Sequence, residues 1–319
     1  MTTDEQYMQR CLELAKLGLG NVQPNPMVGA VIVHNGRIIG EGYHQQYGGV
    51  HAEINAINSV NDKELLKEST IYVNLEPCSH YGKTPPCADK LIEMQFPRVV
   101  IGATDPHDKV NGKGIEKLRG AGIEVETHIL ESECVALNKR FFTFHQKQRP
   151  YIILKWAQTA DGFMDIDRSS QHPDTYWITN SEMRVLVHKW RSEEPAILVG
   201  YNTYKNDQPQ LTTRCYPGKN PARYIAARNP QEIDIEGFTI VPDNVPDILR
   251  KLYEDRMQSV IVEGGRKTID MFIESGLWDE ARVLTGNVKW GKGVPAPNVS
   301  GKIVKMLNIN GDKVAISQR

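Results

Sequence analysis

Apolar residues fall at helical spacing over residues 4–17, where Tyr7, Met8, Cys11, Leu12 and Ala15 share one side and Gly18 marks the end. Two strand-like runs, 28–33 and 38–43, flank Asn35-Gly36, the dipeptide of a tight hairpin. A helix opens near His51, and residues 70–75 read as a buried strand. Another helix follows Pro85-Pro86, 98–103 is a further strand, 114–119 a short helix and 123–127 a strand before a longer helix from Glu131. Around 146–150 the chain turns polar and meets a proline, and a second series begins. Its strands are 151–156, 196–199, 222–227, 238–241, 260–263 and 281–284, with helices at 181–191, 246–257 and 267–275. There is no internal repeat or low-complexity tract. The pattern predicts two layered α/β units, 1–147 and 148–319, each able to bury its own core.

Composition narrows the function. The 319 residues are 40% hydrophobic and 24% charged, with a formal net charge of −1. That balance argues against wide electrostatic capture of nucleic acid, although a local basic pocket for one phosphate remains compatible with it. The acidic start, Met1 to Glu5, lacks the basic and apolar regions of a signal peptide, and no run is long enough to span a bilayer. The five cysteines are an odd set, which suits reduced thiols or metal ligands rather than a disulfide frame. The expected compartment is the cytoplasm.

Three of the candidate ligands stand in one pattern. His51-Ala52-Glu53 is followed by Glu76-Pro77-Cys78 and then Cys87. A catalytic zinc takes three protein ligands and keeps one position for water, whose pKa it lowers toward neutrality. His51, Cys78 and Cys87 supply that set. Glu53 is too close in sequence to His51 for a comfortable fourth ligand and suits proton transfer. A histidine, a carboxylate two residues on and a later Pro-Cys are the signature of zinc deaminases of nitrogen heterocycles. Cys87 would open a helix, where the dipole favours thiolate over thiol. Either cysteine alone reads as an ordinary buried thiol, and so do Cys11, Cys134 and Cys215, which lack companions. The two ligand cysteines lie further apart than in the signature, and the insert places His80 and Lys83 beside the metal, where they could hold a charged substrate.

The second half gives weaker signals. Residues 260–265 run from a strand into Gly264-Gly265 and a helix start, where backbone amides can cradle phosphate. Val199-Gly200 with Asn202-Thr203 is a strand end and a polar loop, ambiguous alone.

Pro24-Asn25-Pro26-Met27-Val28-Gly29, His51-Ala52-Glu53 and the stretch from Glu76 to Cys87 closely resemble the deaminase half of the bifunctional riboflavin-biosynthesis family RibD, also called RibG. Residues 154–162, Trp177-Ile178-Thr179, Val199-Gly200, 207–214 and Glu263-Gly264-Gly265 are similar to its reductase half. The resemblance implies a cytidine-deaminase-like three-layer α/β/α domain followed by a dihydrofolate-reductase-like α/β domain. It implies one Zn2+ per chain and NADPH. The reaction expected is deamination of the diaminopyrimidinone ribosylamine 5′-phosphate, then reduction of the ribosyl chain to ribityl. By the same resemblance, Asn25, His44, His80 and Lys83 contact substrate in the first half, and Lys155, Thr175, Arg191, Leu211, Arg214 and Glu263 in the second. Ala157, Trp177, Thr203, Asp207 and the turn Gly265, Arg266, Lys267 and Thr268 contact NADPH. Arg191 and Arg214 suit phosphate because guanidinium binds it bidentately. The chain departs from the family at 163–174, which is long, at Arg228, and in the short polar end 288–319.

The resemblance further implies a small-molecule substrate, no nucleic-acid or membrane partner, and a homo-oligomer. Two other classes stay open on the residues: a nucleic-acid editing deaminase, which needs a basic or aromatic strand-binding surface, and a deaminase whose second half only binds or oligomerises.

Overall fold

The computed structural model describes residues 1–81, 85–107, 110–166 and 176–319. The chain divides into two compact units, Met1–Lys147 and Gln148–Arg319.

In the first unit the elements run α1 (Thr3–Lys16), β1 (Gly29–His34), β2 (Arg37–Tyr43), α2 (Ala52–Ser59), β3 (Thr70–Leu75), α3 (Cys87–Glu93), β4 (Arg98–Ala103), α4 (Lys113–Gly120), β5 (Glu124–Glu126), α5 (Glu131–Leu137) and α6 (Lys139–Lys147). The sheet order is β2-β1-β3-β4-β5. β1 pairs antiparallel with β2 and β3, while β3-β4 and β4-β5 are parallel. Alternate residues of each central strand face opposite layers. Ala30, Ile32, Ile71, Val73, Val99 and Ile101 pack with the helices α2, α3 and α4. Val31, Val33, Tyr72 and Val100 pack with α1, α5 and α6. Burial on both faces is why these strands read as unbroken apolar runs rather than alternating ones.

The hairpin turn is as expected, with Asn35 at φ 48° and Gly36 at φ 75°, the left-handed pair of a tight turn. The long helix expected from Glu131 is interrupted at Asn138, whose φ of −100° ends α5. The buried Asn138 amide accepts from Met27 N–H (2.8 Å) and donates to Met27 C=O (2.9 Å), so the break supplies partners for another segment.

The second unit continues with β6 (Tyr151–Gln158), β7 (Phe163–Asp165), α7 (Ser181–Glu193), β8 (Ala196–Gly200), α8 (Tyr201–Asp207), β9 (Ala222–Ala227), β10 (Thr239–Pro242), α9 (Val245–Glu254), β11 (Ser259–Glu263), α10 (Arg266–Ser275), β12 (Glu280–Thr285), β13 (Val294–Pro295), β14 (Lys302–Ile309) and β15 (Asp312–Gln318). The main sheet is ordered β10-β9-β8-β11-β6-β12-β15-β14. Neighbours from β10 to β12 are parallel, and β15 and β14 add antiparallel. One face packs on α9 and α10 and the other on α7.

Two expectations are corrected here. The polar loop after Gly200 is the short helix α8, and the polar C-terminal stretch contains the hairpin β14-β15. Among the described residues no helix is long and apolar enough to cross a membrane.

Candidate functional site

His51 is the N-cap of α2, and Glu53 lies in that helix's first turn. Cys78 follows the end of β3, and Cys87 opens α3. The side-chain donor atoms of His51, Cys78 and Cys87 all lie within 4.8 Å of one another. His51 Nδ1 is 3.3 Å from Cys87 Sγ and 3.6 Å from Cys78 Sγ. Nitrogen and sulfur ligands at about 2.0–2.3 Å from one tetrahedral zinc lie about 3.3–3.8 Å apart, so the donor set fits that ion.

The two thiols differ. The hydrogen bond from Cys87 Sγ holds the Cys78 thiol down to about 4, against the effect of its burial and with help from His51. The same bond, then burial and the nearby Glu53, push Cys87 up. Cys87 does open a helix, as expected. The N–H that opens α3 belongs to Cys87 but donates to Cys78 Sγ at 3.2 Å. A helix's first N–H has no partner within the helix, and the sulfur of Cys78, nine residues earlier in the chain, receives it. His51 is raised to about 9 by its bond to Cys78, against burial and with help from Glu53. Glu53 is 4% exposed, and burial and the Cys78 charge push its carboxyl up.

Asn25 and His44 meet beside these groups. His44 Nδ1 lies 3.0 Å from Val50 C=O, and Nε2 lies 3.0 Å from Asn25 Nδ2. Its ring meets that of His51 edge-on at 5.5 Å. Burial pushes His44 down. A carbonyl only accepts, so Nδ1 carries the proton and Nε2 accepts from the Asn25 amide. His80 is exposed, and Lys83 lies outside the described residues. Cys11 and Cys134 are buried, whereas Cys215 is exposed and not a core thiol.

In the second unit a crevice opens at the C-terminal ends of β6, β8, β9 and β11, where ligands of open α/β sheets are commonly held. It is lined by Lys155, Ala157, Trp177, Arg191, Thr203, Asp207, Leu211, Arg214, Glu263 and the turn from Gly265 to Thr268, so it gathers every residue singled out for this half except Thr175. Thr175 lies outside the described residues. At its floor Glu263 accepts from Arg191 Nε (3.0 Å) and Nη2 (2.8 Å) and from Lys155 Nζ (3.3 Å). Burial alone would push Glu263 up, but the two cations outweigh it and hold the carboxyl down to about 2. Burial pushes Lys155 down, against the pull of Glu263. The Arg191 fork is thus directed at Glu263, and its Nη1 donates to Thr212 C=O at 3.2 Å. Arg214 is exposed and reaches Thr212 Oγ1 at 3.4 Å.

Above the floor, Gly265 N–H donates to Thr203 Oγ1 at 2.9 Å, joining the starts of α8 and α10. A Cβ on Gly200 would strike Thr268, so the glycine permits this approach of strand and helix. Arg266 turns away to Asp270 and to the carbonyls of Pro295 and Ala296. Lys267 is exposed, 4.0 Å from Asp243. Leu211 is buried with φ 54°, a backbone state a leucine rarely holds outside a constrained site.

The sequence reading passed over Arg184 and His188. They line the crevice with Val187 and Arg191. The signal was their spacing of three, four and seven residues on α7, one face of a helix. Arg184 stacks on exposed Trp177 at 4.0 Å. Asp161, part of the stretch 154–162, was given no role of its own from the sequence. Its carboxylate accepts from Gly291 N–H (2.8 Å) and Trp290 N–H (3.1 Å), fastening the loop at those residues.

The zinc-binding region of cytidine and deoxycytidylate deaminases matches residues 1–103, and the RibD C-terminal domain matches residues 150–310. The Riboflavin biosynthesis protein RibD of Aquifex aeolicus is 38% identical over 91% of this chain and 89% of its own. The chain belongs to the RibD family. The RibD of Bacillus amyloliquefaciens is 37% identical over 94% of this chain and 88% of its own. Two solved structures are similar over nearly the whole chain. The Thermotoga maritima diaminohydroxyphosphoribosylaminopyrimidine deaminase/5-amino-6-(5-phosphoribosylamino)uracil reductase has a TM-score of 0.87 at 37% identity, covering 99% of this chain and 98% of that one. Acinetobacter baumannii RibD has a TM-score of 0.88 at 30% identity, with the same coverage.

Membership fixes the fold class as a cytidine-deaminase-like domain followed by a dihydrofolate-reductase-like one. As a member of this family, the chain is a bifunctional enzyme of riboflavin biosynthesis, a zinc-dependent deaminase and an NADPH-dependent reductase. Its second half is thus an enzyme and not a mere binding module.

Proposed function

We propose that the first unit deaminates the diaminopyrimidinone ribosylamine 5′-phosphate and that the second reduces the ribosyl chain of the product to ribityl. The observation that carries this reading is the convergence of His51, Cys78 and Cys87 at tetrahedral ligand spacing, with buried Glu53 in the first turn of the helix that His51 caps.

His51, Cys78 and Cys87 hold the metal, one per chain. Zinc, when bound, would acidify the water that adds to the ring carbon bearing the amine. Glu53 would take the two protons of that water in turn, passing one to the ring nitrogen and the other to the amine that leaves as ammonia, which its place in the first turn of α2 beside His51 allows. His44, fixed by Val50 and donating nothing to Asn25, leaves the Asn25 carbonyl oxygen to accept from the pyrimidine. His80 and Lys83 bind the phosphorylated end.

In the second unit Thr203, the turn from Gly265 to Thr268 and Asp207 hold NADPH, with Ala157 and Trp177 against its reactive end. NADPH supplies the hydride when bound. Lys155 and Glu263 bind the hydroxyls of the opened sugar, Leu211 packs against it, and Thr175 and Arg214 bind its phosphate, joined by Arg191 through N–H groups other than those directed at Glu263 and Thr212.

The chain works in the cytoplasm as a homo-oligomer. Free thiols in a ligand set need reducing surroundings. The edge strand β14 exposes Ile303, Val304 and Met306, a surface that another copy would cover.

The test pairs ammonia release with NADPH oxidation on the purified chain. Glu53→Gln should retain zinc and lose deamination by about 10²- to 10⁴-fold while reduction of deaminated substrate persists. Near-normal deamination by that variant would remove Glu53 from the reaction.

A further inference from the structure

Glu76 follows β3 and is 3% exposed. A buried carboxylate needs hydrogen-bond donors. Among the described residues four backbone N–H groups supply them. Asp105 (3.2 Å) and Gly112 (2.9 Å) donate to Oε2, and Gly114 (2.8 Å) and Ile115 (3.3 Å) donate to Oε1. Gly112 is the N-cap of α4 and offers no side-chain cap of its own. The Glu76 carboxylate takes over that role from a distant point in the chain, at the positive end of the helix.

The approach is close. A Cβ on Gly114 would run into the Pro77 carbonyl oxygen and press on the Glu76 side chain. Glu76 N–H also donates to Ala103 C=O at 2.9 Å. Two residues later, Cys78 is held from the opposite side. Its carbonyl accepts from Ala88 N–H at 3.1 Å and its sulfur from Cys87 N–H at 3.2 Å. The segment Glu76-Pro77-Cys78 is thus strung between the starts of α4 and α3.

We propose that Glu76 is a positioning residue of the metal centre: by binding the first N–H groups of α4 it fixes the backbone that aims the Cys78 sulfur. This rests on Cys78 being a zinc ligand. Coupling between two groups is reciprocal, so zinc must in turn tighten the Glu76 clasp.

Three measurements test it. In the wild-type chain, hydrogen exchange at Gly112, Gly114 and Ile115 should slow on zinc loading relative to the chelated protein. Unchanged exchange there would overturn the proposal. Glu76→Gln sets an NH2 group against N–H donors, and zinc affinity, measured by competition with a chromophoric chelator, should fall about 10- to 100-fold. The visible bands of the cobalt-substituted variant should shift from wild type. Gly114→Ala leaves Glu76 intact but pushes Pro77, and should shift the same bands. If Glu76→Gln does not fold, Gly114→Ala and the exchange data decide. A lowered melting temperature with wild-type zinc affinity and unchanged cobalt bands would make Glu76 a residue of the fold alone. A wild-type chain that binds neither metal would overturn the ligand assignment and this proposal together.

Discussion

The backbone N–H of Cys87 donates to the sulfur of Cys78 across 3.2 Å, so the start of one helix stabilises the thiolate of a residue outside it. Cys78 is half-buried and Cys87 is 1% exposed. In metal-free protein a limiting amount of iodoacetamide should therefore modify Cys78 before Cys87, as read by peptide mass spectrometry. Equal or reversed labelling would show that the Cys87 N–H does not select between the thiols.

Removal of Arg191 should damage the second unit twice. Arg191→Ala leaves Glu263 buried with Lys155 as its remaining cationic partner, and loss of one member of a buried pair costs roughly 3–5 kcal/mol. We expect a lower unfolding midpoint for this unit and loss of NADPH-dependent reduction. Ammonia release should stay within about twofold of wild type, because Arg191 lies outside the unit that holds the zinc ligands. Arg191→Lys should restore little, since lysine cannot form the two parallel bonds.

Acid should act on the same cluster. Glu263 is held at about 2 in the folded chain, below its ordinary 4.5. Its contribution to stability is fully present above the ordinary value and is lost as pH falls through about 2. Denaturant midpoints of the full chain between pH 6 and about pH 2.5 should drop less steeply in Glu263→Gln, measured on the transition of the second unit. Parallel slopes would assign the acid sensitivity to other carboxylates.

Thr203 accepts the N–H of Gly265. Thr203→Val keeps the shape and removes the acceptor, which costs about 1–3 kcal/mol where the donor is left unpaired. NADPH affinity, followed by fluorescence titration, should weaken by about tenfold or more, with Thr203→Ser restoring it. Unchanged affinity in the valine variant would mean that the turn holds itself.

The β14-β15 turn places Asn310 at φ 48° and Gly311 at φ 92°. Gly311→Ala should lower the melting temperature of the second unit, because a left-handed position penalises any Cβ by about 1 kcal/mol or more. A neutral result would show that the hairpin adds little to the sheet.

That hairpin shows where the sequence was readable and was passed over. Asn310-Gly311 is the same dipeptide as Asn35-Gly36, which did predict a turn. The difference lies in the flanking strands. β1 is buried along nearly its whole length, whereas β14 is an exposed edge with Lys302, Lys305 and Asn308 among its apolar residues, so no clean period marks it. α8 escaped for a related reason, since it buries no residue.

The sequence by itself determined what depends on local pattern and residue type: the two α/β series, the first hairpin, and the donor types His51, Cys78, Cys87 and Glu53. Those follow from short-range periodicity and from the chemistry of imidazole, thiolate and carboxylate. Only the tertiary structure decided which atoms meet. It put the Cys87 N–H on the Cys78 sulfur, closed α4 with Glu76, and turned the Arg191 fork onto Glu263. Each of these joins segments from different elements, and burial makes each one count: away from water, a charge or an N–H is stabilised by whichever partner the packing brings within about 3 Å, however far away it lies along the chain.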